Sequence, residues 1–233
     1  MKKIFLIIGL SLGFFILVSN VVDLKPTLIN NKNINGIDIS HYNKVTDWKK
    51  IKKSNQFVII KSTEGSKFVD NKFKTNWNNA KNHGITRGAY HFFNPNVPAI
   101  QQFNNFKRNV TLSSGDLPPI LDVELKEIDM NEVNKWCELA EKHYGVKPII
   151  YSDYLVFKFF MDGKVNNYKL WIHIDEKYSV KPSFNNYDCI MWQYSHTGRV
   201  DGIQGDVDLN TFLGDSLNFE KLKKFMQQFL KLI

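Results

Sequence analysis

The chain has 233 residues, 43% of them hydrophobic and 14% aromatic, which suits one domain with a large core. It carries 31 Lys and Arg against 23 Asp and Glu, a net charge of +8 that favours an anionic partner such as nucleic acid, a membrane surface or cell-wall polymer. No Gly-rich phosphate loop and no Cys/His zinc spacing occurs, so no nucleotide, metal or other cofactor is expected.

The chain opens on Lys2 and Lys3, followed by nineteen uncharged residues from Ile4 to Val22. At about 1.5 Å per residue such a helix nearly spans the roughly 30 Å hydrocarbon core of a bilayer. Residues 1–22 therefore read as a signal peptide or an uncleaved signal anchor, with the lysines keeping the N-terminus cytoplasmic. Val18-Ser19-Asn20 is a poor cleavage site. On either reading the rest of the chain is exported, secreted or held at the membrane facing the wall. Residues 23–33 are polar and Asn-rich, a short linker.

From residue 34 short apolar strands alternate with helical spacings. Strands are predicted at 34–40, 57–62, 87–93, 119–124, 148–152, 170–174, 189–194 and 207–212. Asp47 caps a helix over 48–53, a second runs 70–83 to a stop at Gly84, and Pro98 opens a third. Asn131 caps a fourth, carrying Val133, Trp136, Cys137 and Ala140. Residues 154–161 form a short apolar helix. Phe219, Leu222, Met226, Phe229 and Ile233 give a terminal amphipathic helix. About eight strands with intervening helices predict an α/β fold, a single irregular TIM-like (β/α) barrel over 34–217 whose second half has short or missing helices, with the terminal helix over 218–233. Cys137 and Cys189 lie far apart and read as two buried small hydrophobes rather than a disulfide.

The stretch Leu117-Pro118-Pro119-Ile120-Leu121-Asp122-Val123-Glu124 stands out. Side chains alternate along a strand, so Asp122 and Glu124 share a face. Two acids at the end of an apolar strand resist joint ionisation, and one that keeps its proton is a candidate general acid. A strand running out into solvent, with two solvated acids, is the alternative. In a barrel of this kind the strand C-termini form one rim. That rim gathers Asp38, Glu64, His91, Asp122, Glu124 and Asp208, with Tyr90, Tyr151, Trp192 and Gln193 beside them. Aromatic walls with acids at the floor suit a sugar polymer, because ring faces stack on pyranose C–H surfaces. Glu64 has a plainer reading as the partner of a rim lysine, and His91 as a hydrogen-bonded barrel histidine.

Several of these stretches resemble the glycoside hydrolase family 25 lysozymes. They are Gly36-Ile37-Asp38-Ile39-Ser40 with Asp47-Trp48, Phe57 through Gly65, Gly88 through Phe93, Pro118 through Glu124, Trp192-Gln193-Tyr194, and Gly202 through Asn210. The resemblance covers residues 35–214 in order. It implies an N-acetylmuramidase that cuts the β-1,4 bond between N-acetylmuramic acid and N-acetylglucosamine in peptidoglycan, on an irregular β/α barrel. It implies Glu124 as catalytic acid, Asp122 as its partner, and Asp38 and Asp208 as further acidic site residues. Peptidoglycan strands are then the partner, with no nucleic acid. His173 departs from the pattern, since a small residue is expected after Leu170-Trp171-Ile172. A sugar-binding module that kept the barrel and lost activity is the second reading. A chitinase is the third, but residues 115–124 lack its array of aspartates ahead of the glutamate. The i, i+2 spacing of Asp122 and Glu124 predicts net retention through the substrate's own acetamido group.

Overall fold

The structure, a computed structural model, describes residues 34–125, 127–165, 167–175 and 188–229, with side chains described as far as Lys223. The expected export segment and linker lie outside these residues. Among the described residues no helix is long and apolar enough to cross a membrane.

In chain order the elements are β1 (Ile34–Ile39), β2 (Lys44–Val45), α1 (Trp48–Ser54), β3 (Phe57–Glu64), β4 (Phe68–Val69), α2 (Phe73–Asn82), β5 (Thr86–Phe92) and α3 (Ala99–Asn109). There follow β6 (Ile120–Asp122), α4 (Met130–Tyr144), β7 (Ile149–Asp153), α5 (Tyr154–Val156) with a π-helical turn (Phe157–Met161), and β8 (Lys169–His173). The chain ends with β9 (Cys189–Gly198), β10 (Ile203–Gln204), β11 (Val207–Phe212) and α6 (Ser216–Phe229).

Eight of these strands close a barrel in the order β1-β11-β9-β8-β7-β6-β5-β3, with β3 pairing back onto β1. Seven run parallel; β11 alone runs against both its neighbours. That reversal brings the start of β11 to the same rim as the ends of the others, and Asp208 falls opposite Asp38 in register. The second half is irregular as expected. Only α5 and the π turn stand between β7 and β8, and β9 passes to β11 through the hairpin strand β10. The helical layer that covers β3, β5 and β6 is absent there.

The strand pattern fills two separate spaces. One set of alternate residues, with Phe57, Ile59, Ile120 and Ile149 among them, packs inside the barrel. The other set, with Val58, Ile60, Leu121 and Ile150, packs outward against Trp77, Phe106 and Trp136 of the helices. Strands buried on both faces read as continuous apolar runs, which is why 57–60 and 120–121 are so legible. The terminal helix seals the barrel's lower end. The Phe219 ring sits 5.8 Å from Phe57 and 5.1 Å from Phe212 between centroids.

Local details depart from expectation where side chains compete for backbone groups. The fourth helix is capped by Asp129, not Asn131: the Asp129 carboxylate accepts the Asn131 N–H at 2.9 Å. The second helix starts at Phe73 rather than 70, because Asp70 is committed elsewhere, accepting from the backbone N–H groups of His41 and Lys72. The acidic strand ends at Asp122, so Glu124 lies just beyond it. Short strands β2, β4 and β10 were not foreseen. Cys137 and Cys189 are free thiols.

Gly36 marks a close approach inside the barrel. A Cβ there would lie 2.4 Å from the Phe57 ring, which is fully buried. Gly36→Ala is expected to destabilise the fold by about 1–3 kcal/mol, the usual cost of overpacking, read as a lower urea midpoint. An unchanged midpoint would mean that Phe57 can move aside.

Candidate active site

The inward-facing residues turn polar towards the rim. They line an open cavity of about 310 Å³ above the apolar plug. On β1 the sequence Ile34-Gly36-Asp38 faces in, on β6 Ile120 and Asp122, on β7 Ile149 and Tyr151, and on β11 Phe212, Asn210 and Asp208. Each strand thus contributes apolar residues below and a functional group above, a consequence of the period-two alternation.

A belt of hydrogen bonds ties the floor together. Asp38 Oδ2 accepts from Gln193 Nε2 and from Asn210 Nδ2, both at 2.8 Å. Asn210 Oδ1 in turn accepts the Trp171 indole N–H at 2.8 Å, and the Tyr151 hydroxyl donates to Gln193 Oε1 at 2.7 Å. Asp38 and Asp208 also share a hydrogen bond. Burial raises the pKa of both, Asp208 up to about 9, with the Asp38 charge adding to the rise. The amide donors favour charge on Asp38, so the proton of this pair rests on Asp208.

Asp122 and Glu124 form the second acidic pair. Burial pushes Asp122 well above the carboxylate range, and the Glu124 charge pushes it further. Glu124 is raised too, mainly by burial and then by the Asp38 charge, against a lowering contact with Tyr151. The alternative of a strand end with two solvated acids is therefore not what forms. Asp122 is buried, and its Oδ1 has no hydrogen-bond partner among the described residues. Such an orphaned acceptor is costly unless a ligand supplies the donor.

Of the residues singled out in the sequence, Asp38, Asp122, Glu124, Asp208, Tyr90, Tyr151 and Gln193 line this cavity. Three do not. His91 alternates with Tyr90 and faces the helices, where Thr63 and Gln102 hold its two ring nitrogens at 2.7 and 3.1 Å and burial lowers its pKa to about 4. Trp192 alternates with Gln193, and its indole N–H donates to the Ile174 carbonyl. Glu64 bonds Lys61 Nζ at 2.8 Å, and it is Lys61 that reaches the cavity. Trp171, His173 and His196 also reach it, as does Tyr42 at the rim. Trp171 and Lys61 could have been found by carrying the alternation along β8 and β3. His173 bonds Asp153 at 3.3 Å, and no partner of its Nε2 is found among the described residues.

The profile of Glycosyl hydrolases family 25 matches residues 37–203, the span that carries Asp38, Asp122 and Glu124 of the cavity. The chain belongs to this family. YegX of Escherichia coli K12, an uncharacterized protein, is 38% identical over 205 residues, 83% of this chain and 73% of YegX. Lysozyme M1 of Streptomyces globisporus is 31% identical over 208 residues, 80% of this chain and 70% of that one. A family 25 glycosyl hydrolase from Bacillus anthracis superposes with a TM-score of 0.76 at 32% identity, covering 83% of this chain and 95% of that one. Family 25 membership makes the chain a glycoside hydrolase, and the raised carboxyls suit that chemistry.

Raised carboxyls also cost stability. A group whose folded pKa exceeds its unfolded value binds its proton more tightly when folded, so stability falls as pH rises between the two. For Asp208 that window runs from 3.8 to about 9. Asp208→Asn is expected to raise the melting temperature at neutral pH, with the gain vanishing below about pH 4. Scanning calorimetry from acid to mildly alkaline pH checks this; a variant that melts below wild type near neutrality would contradict it.

Proposed function

We propose that the chain is an exported N-acetylmuramidase hydrolysing the β-1,4 bond between N-acetylmuramic acid and N-acetylglucosamine in peptidoglycan, with net retention. The observation that carries this reading is the orphaned Asp122 Oδ1, buried beside Glu124 in a cavity walled by Tyr90, Tyr151 and Trp171. Names such as lysozyme among the relatives support the substrate, and the net charge of +8 suits an anionic wall. Residues 1–22 would export the chain or anchor it to the membrane, and 23–33 would link it to the barrel.

Glu124 is the general acid in this proposal. Its proton passes to the glycosidic oxygen as the C1–O bond breaks, and the acetamido oxygen of N-acetylmuramic acid closes on C1 to give an oxazolinium ion. Asp122 accepts the amide N–H and balances the positive charge. Water then attacks C1, giving its proton to the Glu124 carboxylate, and the ring reopens with β configuration. Atoms and charge balance, and Glu124 ends protonated as it began. Asp38 and Asp208 hold the floor of the cavity, while Tyr90, Tyr151 and Gln193 contact the sugar. Glu64 contributes through Lys61.

The same geometry without turnover would be a sugar-binding module. Purified walls incubated with the protein decide between the two. Released muropeptides with N-acetylmuramic acid at the reducing end are expected by mass spectrometry. N-acetylglucosamine at that end, or no release, would overturn the muramidase reading.

A further inference from the structure

We infer that the face built by α1 and α2 is a second binding site, for a linear polyanion of the cell wall that carries phosphodiester groups along its backbone. The inference rests on the wall setting proposed above and adds a ligand that the glycan cavity does not take.

The net charge of the chain is confined to one segment. Residues 41–87 hold eleven Lys and Arg against three acids, Asp47, Glu64 and Asp70, and that difference of eight equals the charge of the whole chain. The remaining residues carry twenty of each sign. The three acids do little at the surface. Glu64 bonds Lys61, Asp70 is buried and accepts the His41 and Lys72 N–H groups, and Asp47 is taken up in capping α1. Arg87 is buried against Asp116. What is left exposed is lysine. α1 presents Lys49, Lys50, Lys52 and Lys53, while its Trp48 and Ile51 are buried. α2 adds Lys74 and Lys81, and Lys44 and Lys67 stand beside the helices. None of these eight lysines is ion-paired among the described residues.

The lysines share one surface. Lys52 Nζ donates to the Gly84 carbonyl at 2.8 Å, just past the end of α2, and the Trp48 and His83 rings stack at 6.5 Å, so the two helices lie side by side. Lys72 Nζ donates to the Asn43 carbonyl at 3.0 Å and joins the start of α2 to the turn before β2. The hairpin that meets this face at Gly202 brings Asp201, and Asp206 already paired with Arg199. One further acid does not balance eight lysines. The crowding works against the helix itself. Lys49 and Lys53 are like charges at i, i+4, Lys49 and Lys52 and again Lys50 and Lys53 at i, i+3, and the first turn of α1 holds no acid. A helix face that is merely solvated mixes both signs, as α4 does with Glu132, Lys135, Glu138 and Lys142. An anion lying across α1 relieves the repulsion.

The surroundings of the lysines select the occupant. An ammonium meets phosphate as a point charge and needs no planar partner. No large apolar side chain is exposed on α1 or α2, so a bilayer finds nothing to take in there. The face also runs up to the cavity. Lys44 lies two residues past Tyr42, which lines the cavity, and Lys67 precedes Phe68, whose ring sits 5.7 Å from His41. His41 in turn packs against Tyr42 at 4.0 Å. A chain held along the lysines therefore lies beside a glycan in the cavity, where a polymer attached to that glycan would be.

The experiment uses soluble poly(glycerol phosphate), which has no glycosidic bond to cut, and the full chain. Wild type is compared with an α1 variant, Lys49→Gln with Lys50→Gln and Lys53→Gln, and with a control of equal charge, Lys135→Gln with Lys142→Gln and Lys147→Gln. Wild type is expected to bind with an affinity that falls steeply as salt rises from about 50 to about 200 mM, because bound lysines release counterions. At about 50 mM salt the α1 variant should bind at least about 10-fold more weakly and with a shallower salt slope, while the control stays within about twofold of wild type. Glutamine keeps the helix propensity of lysine and removes like-charge pairs, so the α1 variant should melt no lower than wild type. Equal losses in the α1 variant and the control would mean that only net charge matters, and overturn the inference.

Sedimentation with walls names the polymer's source. Walls stripped of their phosphodiester polymer should retain wild type about as poorly as intact walls retain the α1 variant. Undiminished retention on stripped walls overturns the inference, as does tighter binding to vesicles of anionic lipid than to intact walls. Muropeptide release is measured beside it. Release without polymer-dependent binding fails this inference and leaves the muramidase standing; polymer-dependent binding without release does the reverse.

Discussion

Glu124→Gln is expected to leave the barrel folded and to cut hydrolysis of purified walls by about 10²–10⁴-fold, the usual worth of a positioned general acid. The loss should lie in kcat, because the sugar alkoxide is a poor leaving group without a proton and the amide still fills the same space. Folding should be spared for a local reason. Glu124 lies beyond the end of β6 and is half-buried at the cavity mouth. A neutral amide also resembles the protonated acid that burial already favours there. Muropeptide release and a melting curve on one preparation separate the two effects. A variant that clears walls at near wild-type rate would remove Glu124 from the role.

Much of this site was legible because a strand repeats every two residues. Asp38 follows Gly36, and Asp122 follows Ile120, at positions where an apolar run should stay apolar. The break in pattern is the clue. The same rule, applied more strictly, separates Tyr90 from His91 and Gln193 from Trp192, since neighbours on a strand face opposite sides. Only Tyr90 and Gln193 reach the cavity, while His91 packs against Trp136 between sheet and helices and Trp192 turns away to bond the Ile174 carbonyl. Less legible was the direction of β11. Antiparallel and parallel strands share one apolar pattern, so nothing in Val207 through Phe212 announces that Asp208 stands opposite Asp38. The Asp129 cap was hidden for another reason. Asp129 and Asn131 are both good caps, and the choice between them depends on which backbone N–H is left unpaired. The closure of the barrel floor by Phe219 was also invisible, because an amphipathic helix names its apolar face but not the surface that receives it.

Asp122→Asn is expected to slow hydrolysis by about 10²-fold, and wild-type enzyme should cut walls with de-N-acetylated muramic acid slower by a similar factor. Both remove one hydrogen-bonded pair, the Asp122 carboxylate and the substrate amide N–H. Their combination should therefore lose little more than either alone, the non-additivity of groups acting as a unit. The position of Asp122 favours this mechanism over direct attack. Asp122 ends β6 and Glu124 follows two residues on, so both approach the sugar from the same edge of the cavity, whereas an attacking carboxylate faces the acid across the bond. The other acids are engaged. Asp38 Oδ2 is held by Gln193 and Asn210, and Asp208 keeps a proton up to about 9. Asp122 Oδ1 alone waits for a donor among the described residues of the cavity floor. Substrate would supply it, and an N–H at that oxygen lowers the pKa of Asp122 and leaves the shared proton to Glu124. NMR of the first-formed anomer should show the β product. An initial α product, full activity on de-N-acetylated walls, or losses that multiply in the combination would each sink the assisted mechanism, and would return the role to an aspartate facing the acid from β1 or β11.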